Sequence, residues 1–142
     1  MDAQEGSGHM SKLEFAVQMT CEKCVFAIKS ALQGVKGVQN VNVILESQAV
    51  VLETALSVSE VQELLQSTGR RAVLKGMGSL KSQNLGAAVA MLEGVGAVQG
   101  VVRFLQVSEN TCIIDGTVDG LSPGLHGIHI HEFGDLSMGC ER

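Results

Sequence analysis

The spacing of apolar residues changes from every second residue to every third or fourth near residue 20, and this change constrains the fold most. Before it, residues 12–19 alternate, as they do in a strand with one buried face. After it, Val25, Ile28 and Leu32 form a helical stripe that ends before Gly34. The sequence therefore predicts a strand that leads directly into a helix.

The next forty residues repeat this pattern with a hairpin inserted. Residues 41–45 and 49–54 have strand character and are separated by three polar residues. Ser57 and Glu60 have the spacing of a capping box that starts a second helix, and residues 71–75 predict a last strand. The order β, α, β, β, α, β predicts a ferredoxin-like domain with both helices on one sheet face.

The second half of the chain has a different character. Glycine becomes frequent, and four short runs with strand propensity follow at 87–94, 98–108, 111–120 and 124–133. The expected fold class is therefore α+β. We predict a ferredoxin-like domain over residues 11–76 and an all-β domain over residues 84–142.

Charge and hydropathy limit the partners. A net charge of -5 argues against a surface that binds nucleic-acid phosphates, which would need clustered Lys and Arg. No apolar run reaches the length of a membrane span, and the first ten residues are unlike a secretion signal. We therefore expect a cytoplasmic chain whose partner is a protein or a small cation, with no nucleic acid and no membrane.

Two of the four cysteines, Cys21 and Cys24, lie close together where the first strand gives way to the first helix. Close thiols in a reducing compartment bind metal or do redox chemistry, and the positive end of a helix favours their deprotonated form. Soft Cu(I) prefers two such thiolates. A thiol-disulfide oxidoreductase remains the rival interpretation, while flanking isoleucines predict that Cys112 is a small buried hydrophobe.

In this setting the segment MTCEKC resembles the metal loop of heavy-metal-associated domains, which occur in copper chaperones and copper-pumping ATPases. The resemblance covers residues 11–76. It implies that Cys21 and Cys24 bind Cu(I), that Met19 packs beneath the loop, and that the basic Arg70 faces the site.

The segment GLHGIHIHEFGD predicts a strand that places His129 and His131 on one face, where two imidazoles can share a metal. An exposed strand with polar residues outward is the alternative. The segment resembles the copper strand of copper/zinc superoxide dismutases, which implies copper ligation by these two histidines. It also implies a structural role for His126 and a disulfide at Cys140.

The two resemblances together match the arrangement of copper chaperones for superoxide dismutase. They imply Cu(I) delivery to a copper/zinc superoxide dismutase by exchange of thiolate ligands, without enzyme activity. The second half offers about four of the eight strands of such a barrel and too few histidines for the dismutase site. We therefore expect a truncated, incomplete Greek-key domain that self-associates as a homodimer or is completed by a partner. A non-catalytic, dismutase-binding fragment is a further alternative.

Overall fold

A computed structural model describes residues 9–80, 85–134 and 137 as two antiparallel sheets, the first of which carries two helices. The first six elements are β1 (Ser11–Val17), α1 (Glu22–Leu32), β2 (Val38–Ile44), β3 (Ala49–Thr54), α2 (Val58–Gln66) and β4 (Ala72–Gly78). The last three are β5 (Ala87–Glu93), β6 (Gln99–Ser108) and β7 (Thr111–Asp119). The predicted α+β class and the βαββαβ order are confirmed, whereas the boundaries 11–76 and 84–142 stay predictions.

Strand β1 lies inside the first sheet, whose order is β2-β3-β1-β4. It pairs with β3 on one side and β4 on the other, so that Phe15 lies opposite Val50 and Leu74. Because both edges of β1 are hydrogen-bonded, the chain that leaves it toward Cys21 starts from a fixed position.

The core fills the space between this sheet and the two helices. Every second residue of β1 points into it, and Leu13, Phe15 and Val17 are each at most 1% exposed. The helices contribute the apolar stripes that the sequence predicts: Val25, Ile28 and Leu32 from α1, and Val61 and Leu65 from α2. The buried residues of the strands lie on one face of the sheet, and each helix has a single apolar stripe. Both helices therefore pack on that same face.

Each helix begins in a different way. At α2 the predicted capping box is present: the Glu60 amide donates to Ser57 Oγ at 3.2 Å, and the Ser57 amide donates to Glu60 Oε2 at 2.8 Å. At α1 the N-cap is Cys21, whose side chain makes no capping hydrogen bond. The first turn of α1 therefore keeps amide groups available for another acceptor.

The second sheet has the order β5-β6-β7 and little core of its own. Leu105 is its buried hydrophobic residue within the described part of the chain. The expectation that Cys112 is buried is wrong, because its side chain is exposed. No described helix covers this sheet, so the apolar neighbours of Cys112 do not enclose it.

The strand predicted over residues 124–133 is not formed. Among the described residues the second sheet ends with β7, and residues 121–130 are all exposed. Alternating hydrophobicity alone does not form a strand, because backbone groups must also find a neighbouring strand to pair with.

Among residues 9–80, 85–134 and 137, neither helix has the length and apolar character that crossing a membrane requires.

We expect Ser57→Ala to lower the free energy of unfolding by about 1 kcal/mol, because the substitution removes the acceptor for the Glu60 amide. Urea unfolding followed by the circular dichroism of the helices measures this loss. Ser59→Ala, at an exposed position in the first turn of the same helix, is the matched control. Equal stability of the two variants would show that the capping box does not stabilise α2.

Candidate metal centre

Cys21 and Cys24 lie where β1 passes into α1, on a short loop and the first turn of the helix. Cys21 has an extended backbone, and its carbonyl oxygen accepts the amides of Cys24 at 3.0 Å and Val25 at 3.4 Å. The Cys21 side chain is exposed, whereas Cys24 is only 8% exposed. Both are free thiols. One sulfur therefore faces outward and the other lies against the core.

Two side chains approach the Cys24 sulfur. The Arg70 guanidinium donates to Cys24 Sγ through Nη2 at 3.2 Å, while Nη1 donates to the carbonyl oxygen of Thr68 at 2.7 Å. The Thr20 hydroxyl lies 3.7 Å from the same sulfur. The hydrogen bond from Nη1 to Thr68 fixes the orientation of the guanidinium, so that its positive charge faces Cys24 Sγ.

These contacts favour the thiolate form of Cys24. Hydrogen bonding from the Thr20 backbone, from Arg70, from the Cys21 backbone and from the Thr20 hydroxyl lowers the pKa of Cys24 to about 6, against the opposing effect of burial. At neutral pH this sulfur is therefore mainly a thiolate, the form that binds soft metals. The resemblance implied that Arg70 faces the site, and the structure places it there.

Met19 lies directly beneath this loop. Its side chain is 4% exposed and belongs to the hydrophobic core, so the expectation that it packs is confirmed. Its amide donates to the side-chain oxygen Oε1 of Gln48 at 3.0 Å. Met19 thus fixes the chain two residues before Cys21 through both its side chain and its backbone.

Two residues of this centre, Thr20 and Gln48, were not predicted from the sequence. A signal exists for each. Thr20 directly precedes the first cysteine, and Gln48 occupies a tight hairpin turn where glycine or asparagine is usual. Neither signal identifies the partner atom, and the partner of Gln48 lies 29 residues away in the chain.

The candidate residues of the second half are not brought together in the same way. His129 and His131 lie outside any strand, and Nε2 of His126 lies 2.7 Å from the carbonyl oxygen of Ser122. Cys140 lies outside the described residues. Within residues 9–80, 85–134 and 137, no group of three or more His, Cys, Asp or Glu side chains could hold a metal.

Two known families match different parts of the chain. The heavy-metal-associated domain matches residues 14–71, and copper/zinc superoxide dismutase (SODC) matches residues 98–142. The first match contains both cysteines of the loop and Arg70, and the second contains the histidines.

Relatives of known name match almost the whole chain. The copper chaperones for superoxide dismutase of Mus musculus and Homo sapiens are each 62% identical over 133 residues, which is 94% of this chain and 48% of either relative. The superoxide dismutase 1 copper chaperone of Saccharomyces cerevisiae is 35% identical over 138 residues, covering 89% of this chain and 54% of the relative. The chain spans about half the length of these relatives.

A similar solved structure is the copper(I)-loaded first domain of the human copper chaperone for SOD1. It is 60% identical, with a TM-score of 0.48, and the match covers 50% of this chain and all of that domain.

We expect Arg70→Gln to raise the pKa of Cys24 above about 6, because the variant removes the positive charge 3.2 Å from the sulfur. The ¹³Cβ chemical shift of Cys24, followed by NMR against pH in the reduced, metal-free chain, reports the titration. Its midpoint should move upward, so that less thiolate is present at neutral pH.

Arg71→Gln is the matched control, because the Arg71 side chain is exposed and follows Arg70 directly. It removes the same charge from the chain without removing the contact to Cys24. An equal shift of the midpoint in both variants would show that net charge, rather than the Arg70 hydrogen bond, sets the pKa.

Proposed function

This chain belongs to the family of copper chaperones for superoxide dismutase, and from that premise we propose that it carries one Cu(I) ion as cargo on Cys21 and Cys24. The acceptor is a copper/zinc superoxide dismutase. The carrier domain spans residues 11–76 and a dismutase-like domain spans residues 84–142. The proposed activity is metal transfer in the cytoplasm, and the relatives bear the names of chaperones rather than enzymes.

The observation that carries the proposal is the paired environment of the two sulfurs. Cys24 is stabilised as a thiolate by hydrogen bonds from the Thr20 backbone and from Arg70, while Cys21 is exposed four residues after β1. Two thiolates suffice for a soft, monovalent ion, which does not require the four ligands of structural zinc. This supports Cu(I) as the cargo.

The charge count also favours this cargo. One Cu(I) ion on two thiolates carries a net charge of minus one, and the Arg70 guanidinium next to Cys24 offsets it. The offset stabilises the loaded site near the core, where an isolated charge would be costly.

The mechanism is ligand exchange. A thiolate of the acceptor adds to the two-coordinate ion from the exposed side, which gives a three-coordinate state, and one carrier sulfur then leaves. The oxidation state of copper does not change at any step. Because Cys21 is exposed and Cys24 is held by Arg70, Cys21 is the sulfur that leaves first.

The second half is proposed to recognise the acceptor or to form a homodimer. Its match to copper/zinc superoxide dismutase supports docking by imitation of a dismutase subunit. A secondary metal site at His129 and His131, with a disulfide at Cys140, stays a prediction. The strand on which those histidines were expected is absent from the described residues.

A direct test is Cu(I) stoichiometry under anaerobic competition with a chromophoric chelator. We expect the intact chain to retain one equivalent and the Cys21→Ser, Cys24→Ser double variant to lose it, because serine oxygens do not replace thiolates as ligands for Cu(I). Cys112→Ser is the control, since this exposed thiol lies outside the proposed site.

Equal retention by the intact chain and the double variant would contradict the proposal and move the site to His129, His131 and Cys140. Disulfide turnover by Cys21 and Cys24 without Cu(I) retention would instead favour a thiol-disulfide oxidoreductase.

Delivery is tested separately. We expect the Cu(I)-loaded chain to transfer its ion to metal-free copper/zinc superoxide dismutase, and Cys21→Ser to deliver at least about tenfold less copper, because the single remaining thiolate does not retain the ion for delivery. Anaerobic gel filtration with copper analysis of each protein measures the transfer. If the intact chain transfers no copper and the double cysteine variant binds the dismutase as strongly as the intact chain does, a non-catalytic binding fragment would be favoured.

A further inference from the structure

The turn between β2 and β3 contains a backbone conformation that its residue type does not favour. Gln48 has a φ of 51°, in the left-handed region where glycine or asparagine is usual. Its amide donates to the carbonyl oxygen of Leu45 at 3.1 Å and closes the turn. Glycine at this position would close the same turn without strain. The glutamine side chain therefore needs a separate reason.

The reason lies across the sheet, in the chain that leaves β1. Three consecutive amides of this chain are held: Val17 donates to the Gln48 carbonyl oxygen at 3.0 Å, Gln18 to the Arg71 carbonyl oxygen at 3.1 Å, and Met19 to Gln48 Oε1 at 3.0 Å. Gln48 thus supplies two of the three acceptors. The second of them is a side-chain atom, which glycine cannot provide.

The last of these amides belongs to the residue directly before Thr20 and Cys21. Strand β1 ends at Val17, so Met19 has left the regular ladder when Gln48 Oε1 accepts its amide. Its side chain is buried at the same time. The metal loop therefore starts from a residue that is fixed on both sides, with the Thr20 hydroxyl 3.7 Å from Cys24 Sγ.

We propose that Gln48 is a positioning residue for the metal loop: its side-chain oxygen holds the Met19 amide and so keeps Cys21 and Cys24 arranged for Cu(I) before the ion arrives. This inference rests on the proposed function, because it assigns a role in the same site. A loop that is ordered in advance loses less conformational freedom on binding and retains its ion more tightly.

A purely structural role for Gln48 makes a different prediction, and Gln48→Gly separates the two. Glycine relieves the positive φ but removes the side-chain acceptor, and because these effects oppose each other the variant should unfold within about 5 °C of the intact chain. Its Cu(I) dissociation constant should nevertheless rise about three- to tenfold, the effect of one lost hydrogen bond. The unfolding temperature and the Cu(I) dissociation constant should thus change independently of each other.

Two further variants complete the design. Gln48→Glu keeps an oxygen at the end of the side chain and should restore Cu(I) retention to within about twofold of the intact chain. Asn40→Gly is the matched control: Asn40 also has a positive φ, 52°, and its amide side chain donates to Glu53 at 2.7 Å in the β2–β3 pair. Neither partner of this hydrogen bond belongs to the metal loop, so Asn40→Gly should leave Cu(I) retention unchanged.

The experiment is anaerobic competition of the full 142-residue chain with a chromophoric Cu(I) chelator, together with thermal unfolding and NMR hydrogen exchange of the Met19 amide in the metal-free chain. Support consists of weaker retention and faster Met19 exchange in Gln48→Gly, rescue in Gln48→Glu, and no change in Asn40→Gly. Wild-type retention in Gln48→Gly, failure of the rescue, or an equal loss in Asn40→Gly would overturn the inference.

The failure of the proposed function gives a different result. If the intact chain retains no Cu(I) on its two loop cysteines, the proposed function and this inference both fall. If the intact chain retains Cu(I) and Gln48→Gly retains it equally, only the role of Gln48 falls.

Discussion

The pairing of β1 on both of its edges is the constraint on which the candidate site depends. Because β3 and β4 hold the strand from either side, the point where it ends is fixed, and Cys21 follows four residues later. The core anchors α1 independently through Val25 and Ile28. The two sulfurs thus lie between a fixed strand and a fixed helix, and the loop has few conformations left to choose from.

Electrostatics then divides the roles of two chemically identical side chains. Burial alone would raise the pKa of Cys24, but the hydrogen bonds from Thr20, Cys21 and Arg70 outweigh it. Cys21 remains exposed at the N-cap of α1. A metal bound between them would be neutralised from the inner side and open to an incoming ligand on the outer side. That asymmetry suits a carrier, which must hold its cargo and also release it.

Local periodicity was enough to predict the first domain. The alternation that includes Leu13 and Phe15 and the capping box at Ser57 are encoded within a few residues, and the structure confirms both. The contacts of Arg70 and Gln48 join residues 46 and 29 positions apart, so they depend on how the whole sheet folds. The strand expected around His129 failed for the same reason, since pairing needs a partner that local alternation does not supply.

The two halves also differ in how they are stabilised, and this difference bears on function. The side chains that approach Cys24 and the residues that fix the loop all lie in the loops and turns that join the strands and helices of the first half, next to one shared core. The described part of the second sheet buries little beyond Leu105 and leaves apolar side chains such as Ile114 exposed. Burial of apolar surface is the main source of stability, so the second sheet gains most from contact with another surface. The cargo binding that we propose therefore relies on the first half, while the proposed recognition of a partner is the task that suits the second.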